Sequence, residues 1–263
     1  MSHEPPLVDT HFHVYTSAMP LAPTAWHKPA GEASIELLGQ TLDSHGVLFG
    51  VIAAASLYGD NSEYTLEALR RNRRLRATVI VNPDIDAAAL RRLQEAGVIG
   101  VRFQYRDRAQ APDLRAPDYQ RLLRHMADLG LIAHLHDNGP RLPPAIAAIE
   151  ASGVRLVVEH FGRPKGGVDC AGFRATLAAI ERGSTWAKLS AGFRLQPGEA
   201  AACARALVAA AGGERLMWGS DWPFAAFEGK VTYADTIAAL HEWVPDAAVR
   251  RQITRDTPIR LYF

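Results

Sequence analysis

Leu7-Val8-Asp9-Thr10-His11-Phe12-His13 is a short apolar run that ends in alternating polar residues, and its reading decides the fold. Successive strand residues face opposite sides, so His11 and His13 share one face at the C-terminal end of a strand. The same design recurs. Segment 131–136 ends in His134-Leu135-His136-Asp137, segment 154–159 runs into Glu159-His160-Phe161-Gly162-Arg163, and segment 216–219 runs into Ser220-Asp221-Trp222-Pro223. With the first strand at 7–10, further apolar runs at 47–55, 75–81, 98–103 and 185–189 bring the strand signals to eight. Such unbroken runs are those of parallel strands buried on both faces.

Between the runs lie stretches with helical periodicity at 34–45, 61–72, 86–95, 117–129, 142–152, 170–181 and 198–211, and another follows the last strand at 232–243. Asp86 is placed to cap the third helix, and Asn61 or Ser62 the second. The alternation predicts an α/β chain folded as one TIM-like (β/α) barrel spanning 1–263. An open doubly wound sheet would carry a phosphate-binding G-x-G-x-x-G after an early strand, and none is present. No repeat, low-complexity tract or linker divides the chain.

Composition narrows the function classes. A content of 48% hydrophobic and 22% charged residues is that of a globular protein with ample core. The formal net charge of +1 provides no field to gather nucleic acid or anionic membrane. No apolar run reaches 18 residues and the first residues lack a signal-peptide core, so the expected location is cytoplasmic. Cys170 and Cys203 are far apart and match no metal or redox spacing, and Cys203 reads as a small buried thiol. No exposed apolar stripe decides between monomer and homodimer.

In a (β/α) barrel the strand C-termini gather at one face, where the chemistry of such enzymes sits. His11, His13, His136, His160 and Asp221 all occupy strand ends, so they are the candidate site. Together they can bind a divalent metal, or polarise a carbonyl and activate water. A lone histidine such as His160 serves equally well as a structural residue, and Asp221 alone could be a helix cap. An H-x-H pair is harder to explain by packing. Of His134 and His136, the second is nearer the strand end and is expected to reach the site. His3, His45, His125 and His241 read as structural or surface residues. His27 stands apart, because the long loop from Val14 to Gly31 has the length of a lid or substrate wall.

The motifs Val8-Asp9-Thr10-His11-Phe12-His13, Gly59-Asp60-Asn61, Gly100-Val101-Arg102-Phe103, His160-Phe161-Gly162-Arg163-Pro164, Lys188-Leu189-Ser190, Trp218-Gly219-Ser220-Asp221-Trp222-Pro223 and Thr257-Pro258-Ile259-Arg260-Leu261-Tyr262 lie in order along nearly the whole chain. In this set the chain resembles the amidohydrolase superfamily, in the branch of 2-pyrone-4,6-dicarboxylate lactonase and the sugar-lactone and muconolactone hydrolases. The resemblance implies a distorted barrel and a lactone-opening hydrolase. It makes Asp221 the general base, with His11, His13 and His160 polarising the carbonyl. No lysine stands on the fourth strand, where Val101-Arg102-Phe103 is found, which argues against a carbamate-bridged two-metal site. Metal use in the branch is mixed. One zinc-like ion on His11, His13, His136 and Asp221 and a metal-free site both agree with the residues.

Arginines point to an acidic substrate, since the planar guanidinium binds carboxylate bidentately. Arg102, Arg163 and Arg194 follow strands and are the expected carboxylate grips, with Ser56 and His27 as further substrate contacts; ion pairs with Asp107 or Glu159 are the competing use of these arginines. Ser56 lacks a G-x-S-x-G elbow and is no nucleophile. The expected partner is therefore a small carboxylated lactone. The rival reading is a metal-dependent decarboxylase of an aromatic or unsaturated acid on the same barrel, and a third is a pocket kept only for binding.

Overall fold

A computed structural model describes residues 4–263; Met1 to His3, and with them the reading of His3, lie outside the described residues. The eight strands are β1 (Val8–Phe12), β2 (Phe49–Ile52), β3 (Leu75–Val79), β4 (Val98–Gln104), β5 (Ile132–His136), β6 (Leu156–Val158), β7 (Thr185–Ser190) and β8 (Leu216–Gly219). They form one parallel sheet in chain order. The connecting helices are α1 (Ile35–Ser44), α2 (Glu63–Arg71), α3 (Ala87–Glu95), α4 (Pro117–Asp128), α5 (Leu142–Ala151), α6 (Ala171–Arg182) and α7 (Glu199–Ala211), with α8 (Tyr233–Trp243) after the last strand. This is the TIM-like barrel expected from the alternation. Asp86 caps α3 through Ala89 N at 2.6 Å; at α2 Ser62 makes no side-chain cap, and Asn61 Oδ1 accepts from Glu63 N at 3.2 Å.

Three short elements at the end of the chain escape pattern reading: α9 (Ala247–Arg251), a π-helical turn (Gln252–Asp256) and α10 (Thr257–Tyr262). Alternating inward residues fill the barrel in layers. Val51, Ile132, Val157 and Met217 pack with Tyr262 from α10 as an apolar plug at the N-terminal end. Two residues further along β5, His134 stacks on Tyr262 with ring centroids 5.8 Å apart. Inward positions are therefore apolar at the bottom and polar at the top.

Closure is made by β1 and β8. Asp221 N donates to His11 O at 2.8 Å, His13 N to Trp222 O at 2.9 Å, and Thr10 Oγ1 to Trp218 O at 2.6 Å. Asp9, fully buried, accepts from Ser220 N and from Tyr233 Oη of α8. The strands approach so closely that a Cβ on Gly219 would lie 2.5 Å from His11 Cβ. Only glycine fits there.

Candidate active site

Three successive strands end in a left-handed residue: His160 (φ 52°) after β6, Ala191 (φ 55°) after β7 and Asp221 (φ 65°) after β8. Phe161, Gly162 and Arg163 continue the left-handed run after β6. Non-glycine residues pay roughly 1–3 kcal/mol each for such geometry, which persists where the surroundings impose it and clusters at functional sites. Here it turns His160 and Asp221 into the barrel mouth instead of along the strand. Both line the central cavity with His13, Ser56, Arg102, His136, Arg163 and Arg194.

Asp221 Oδ1 is the focus. His13 Nε2 lies 3.4 Å from it, His11 Nε2 3.6 Å and His160 Nε2 3.8 Å. Its other oxygen accepts from Arg194 Nε at 2.8 Å. Burial pushes the Asp221 carboxyl up, but Arg194 and the imidazoles overcome this and hold it well below the usual carboxylate range. Burial acts the other way on the imidazoles: His160 is pushed down to about 3, and His11 and His136 well below their ordinary value. The site thus sets an ionised carboxylate among the neutral imidazoles of His11, His136 and His160 at neutral pH.

Hydrogen-bond partners decide which nitrogen holds each hydrogen. Ala53 O can only accept, so His13 Nδ1, 2.8 Å away, carries a hydrogen and donates it, leaving Nε2 to face Asp221. Arg102 Nη2 can only donate, so His136 Nδ1, 3.1 Å away, accepts. Neutral His136 then keeps its hydrogen on Nε2 and presents a donor. Of the expected metal set of His11, His13, His136 and Asp221, His136 is thus turned as a hydrogen-bond donor. One compact donor group is His11, His160 and Asp221, whose ligand atoms lie within 4.8 Å of one another. His11 Nε2 is buried with no hydrogen-bond partner, 3.6 Å from Asp221 Oδ1. A leftover imidazole nitrogen beside a buried carboxylate is a donor set for a cation, so the residues fit a divalent ion. A second compact group, His136, Glu159 and His160, has its carboxylate engaged by Arg102.

The arginines divide by partner. Arg102, expected as a carboxylate grip, donates Nε to Glu159 Oε2 at 2.9 Å and Nη1 to Ala54 O at 2.7 Å, besides its bond to His136. It lines the cavity with four of its five N–H hydrogens engaged, and it forms the ion pair with Glu159 that is the competing use. Arg194 gives Nε to Asp221 and Nη1 to Ala225 O, leaving Nη2 without a hydrogen-bond partner among the described residues. Arg163 makes no ion pair or side-chain hydrogen bond among the described residues, and its burial and the neighbouring Arg106 and Arg194 push it down to about 10. Arg106 pairs with Asp107 and sits under the Trp26 ring at 5.1 Å.

His27 does not reach the cavity: its Nε2 lies 2.8 Å from Glu228 Oε1, tying the long loop to the segment after β8. Its neighbour Trp26 lines the cavity and donates to Ser56 Oγ at 3.4 Å. The loop is therefore the wall that its length predicted, with Trp26 as the contact. His134 stays below the cavity, fully buried. Pattern reading gave Glu159 only an ion-pair role and Lys188 no role beyond its motif, and a charged residue inside an apolar strand run was the available signal that both are buried.

The family model described as amidohydrolase matches residues 8–263. The 4-sulfomuconolactone hydrolase of Hydrogenophaga intermedia is 26% identical over 97% of this chain and 88% of its own length. The 2-pyrone-4,6-dicarboxylate hydrolase of Comamonas testosteroni is 27% identical over 97% and 90%. A crystal structure from Acinetobacter baumannii, described as a probable 2-pyrone-4,6-dicarboxylic acid hydrolase with citric acid bound, superposes with a TM-score of 0.92 at 27% identity, covering 97% of this chain and 98% of that one.

Proposed function

Because the chain belongs to the amidohydrolase family, we propose that it is a hydrolase opening the ester bond of a small, carboxylated lactone. The observation that carries this reading is an ionised, buried Asp221 ringed by imidazoles, in a cavity where Arg163 is a cation without a carboxylate partner. Relatives of nearly full coverage carry the names of hydrolases of acidic lactones.

The lactone's carboxylate pairs with Arg163, and Arg194 Nη2 supplies a further donor. A guanidinium–carboxylate pair of this kind orients the ring before the chemistry begins. Water attacks the ester carbonyl carbon while Asp221 takes its proton, and the carbonyl oxygen becomes an oxyanion. His136 Nε2–H is the neutral donor presented to that oxygen, a contact typically worth about 3–4 kcal/mol in the transition state. The tetrahedral centre collapses with cleavage of the ring C–O bond, and the proton on Asp221 passes to the departing oxygen. One carboxylate and one hydroxyl, or the tautomer of an enol, result.

His11, His160 and Asp221 would hold a divalent cation, with His13 beside Asp221. Such an ion supplies Lewis-acid polarisation and a more acidic water.

The test is a panel led by 2-pyrone-4,6-dicarboxylate, with sugar-acid lactones and a muconolactone, followed by acid release with and without prior chelation. Rapid acid release from a carboxylated member is expected. Silence across the panel, with carbon dioxide evolved from an aromatic acid, would replace this reading with a decarboxylase.

A further inference from the structure

A second polar layer lies directly beneath the site, and the reaction described above makes no use of it. Its centre is Glu159, whose side chain is completely buried. Glu159 Oε2 is held by Arg102, through Nε at 2.9 Å and Nη2 at 2.8 Å. Glu159 Oε1 faces three nitrogens: His11 Nδ1 at 3.4 Å, His134 Nδ1 at 3.6 Å and Lys188 Nζ at 3.7 Å. Lys188, equally buried, donates to Thr10 O at 2.7 Å and lies 3.3 Å from His11 Nδ1.

His11 Nδ1 therefore stands between a carboxylate that can only accept and an ammonium that can only donate, and its hydrogen can satisfy only one arrangement. Were Nδ1 bare, its lone pair would confront the negative Oε1 in a site without water, and Oε1 would lose a donor. Leaving a buried charged oxygen short of donors is the costlier fault. Lys188 already donates to Thr10 O and keeps Glu159 Oε1 as an ion-pair partner at 3.7 Å, so it does not depend on His11 Nδ1 for its counter-charge. We infer that Glu159 is a positioning residue: it holds His11 as the Nδ1–H tautomer, so that Nε2 offers its lone pair beside Asp221 Oδ1. His11 then matches His13, whose tautomer Ala53 O sets in the same sense. Both imidazoles receive a water hydrogen or an electrophile and do not donate to an oxyanion.

Two-bond 1H–15N spectra of the full-length, chelated protein test this directly, with His11 assigned by its loss in His11→Asn. In the wild type His11 should show a protonated Nδ1 and a bare Nε2; the reverse pattern overturns the inference. In Glu159→Gln the amide oxygen stays with Arg102, turning the NH2 toward His11 Nδ1, so the pattern should invert. An unchanged tautomer there also overturns it. If that variant does not fold, Lys188→Met serves: His11 should keep Nδ1–H, and inversion would show that the ammonium was in control. In Glu159→Gln, kcat is expected to fall at least tenfold with KM within about threefold. The tautomer pattern does not depend on which substrate is turned over, so failure of the lactone reading leaves the spectra decisive on their own.

Discussion

Replacing Arg163 by methionine should make the protein more stable and worse at its task. The guanidinium is pushed from its ordinary value down to about 10, by burial first and then by Arg106 and Arg194. A cation whose folded pKa is depressed weakens folding at every pH below that value, and the penalty fades only as pH rises from about 10 toward the ordinary guanidinium value. At neutral pH it is present in full. At about 1.4 kcal/mol per pH unit the upper bound is about 3 kcal/mol, and partial exposure of the side chain reduces it to about 1–2 kcal/mol. Methionine keeps the apolar stem, so little packing is lost. At about 2–4 °C per kcal/mol for a chain of this size, Tm should rise by a few degrees. Substrate binding should move the other way. Loss of a charge-assisted bond to carboxylate costs about 1.5–3 kcal/mol, raising KM by roughly 10- to 150-fold. Because the carboxylate is bound alike in ground and transition states, kcat should change little. Thermal unfolding and steady-state kinetics on a carboxylated lactone and its uncharged ester read both effects. A lowered Tm together with an unchanged KM would refute the claim that Arg163 is kept unpaired for the substrate.

Asp221→Asn should lower kcat by about 10²–10⁴ while the far-ultraviolet circular dichroism stays native, since Asn keeps the shape and an acceptor for Arg194; a kcat within threefold of wild type would remove Asp221 as the base. Arg102→Met should act on folding more than on KM, because it strands Glu159 without its main partner, at a cost of about 3–5 kcal/mol. A soluble variant of normal Tm with raised KM would return Arg102 to the role of substrate grip. Gly219→Ala places a Cβ 2.9 Å from His11 N and should cost about 1–3 kcal/mol through displacement of β1 from β8, seen as a lower urea midpoint; an unchanged midpoint would mean that the seam yields freely. Zinc added to chelated protein should bind at one equivalent by calorimetry and fail to bind Asp221→Asn tightly, whereas equal affinity for both would place the ion elsewhere.

The barrel and the face that carries the chemistry were legible in residue order alone. Eight apolar runs separated by 3.6-period stretches leave few other architectures, and the 216–219 strand and the 86–95 helix cap were readable nearly to the residue because local pattern and caps are local physics. The H-x-H alternation and the polar residues after β5, β6 and β8 marked the cavity lining for the same reason. Tertiary structure alone decided who pairs with whom. Arg102 and Glu159 are 57 positions apart, and Lys188 and His11 177 apart, so no spacing rule could show that Arg102 is paired with a carboxylate while Arg163 is not. His27 and Glu228, 201 positions apart, likewise remove a histidine from the site that loop length had placed there. Nor could sequence say that Arg102 orients His136 as a donor, because a histidine's useful nitrogen is set by whatever group its other nitrogen meets. Periodicity determines which face a side chain points to; its charge, tautomer and availability depend on neighbours that only closure of the barrel brings within hydrogen-bonding distance.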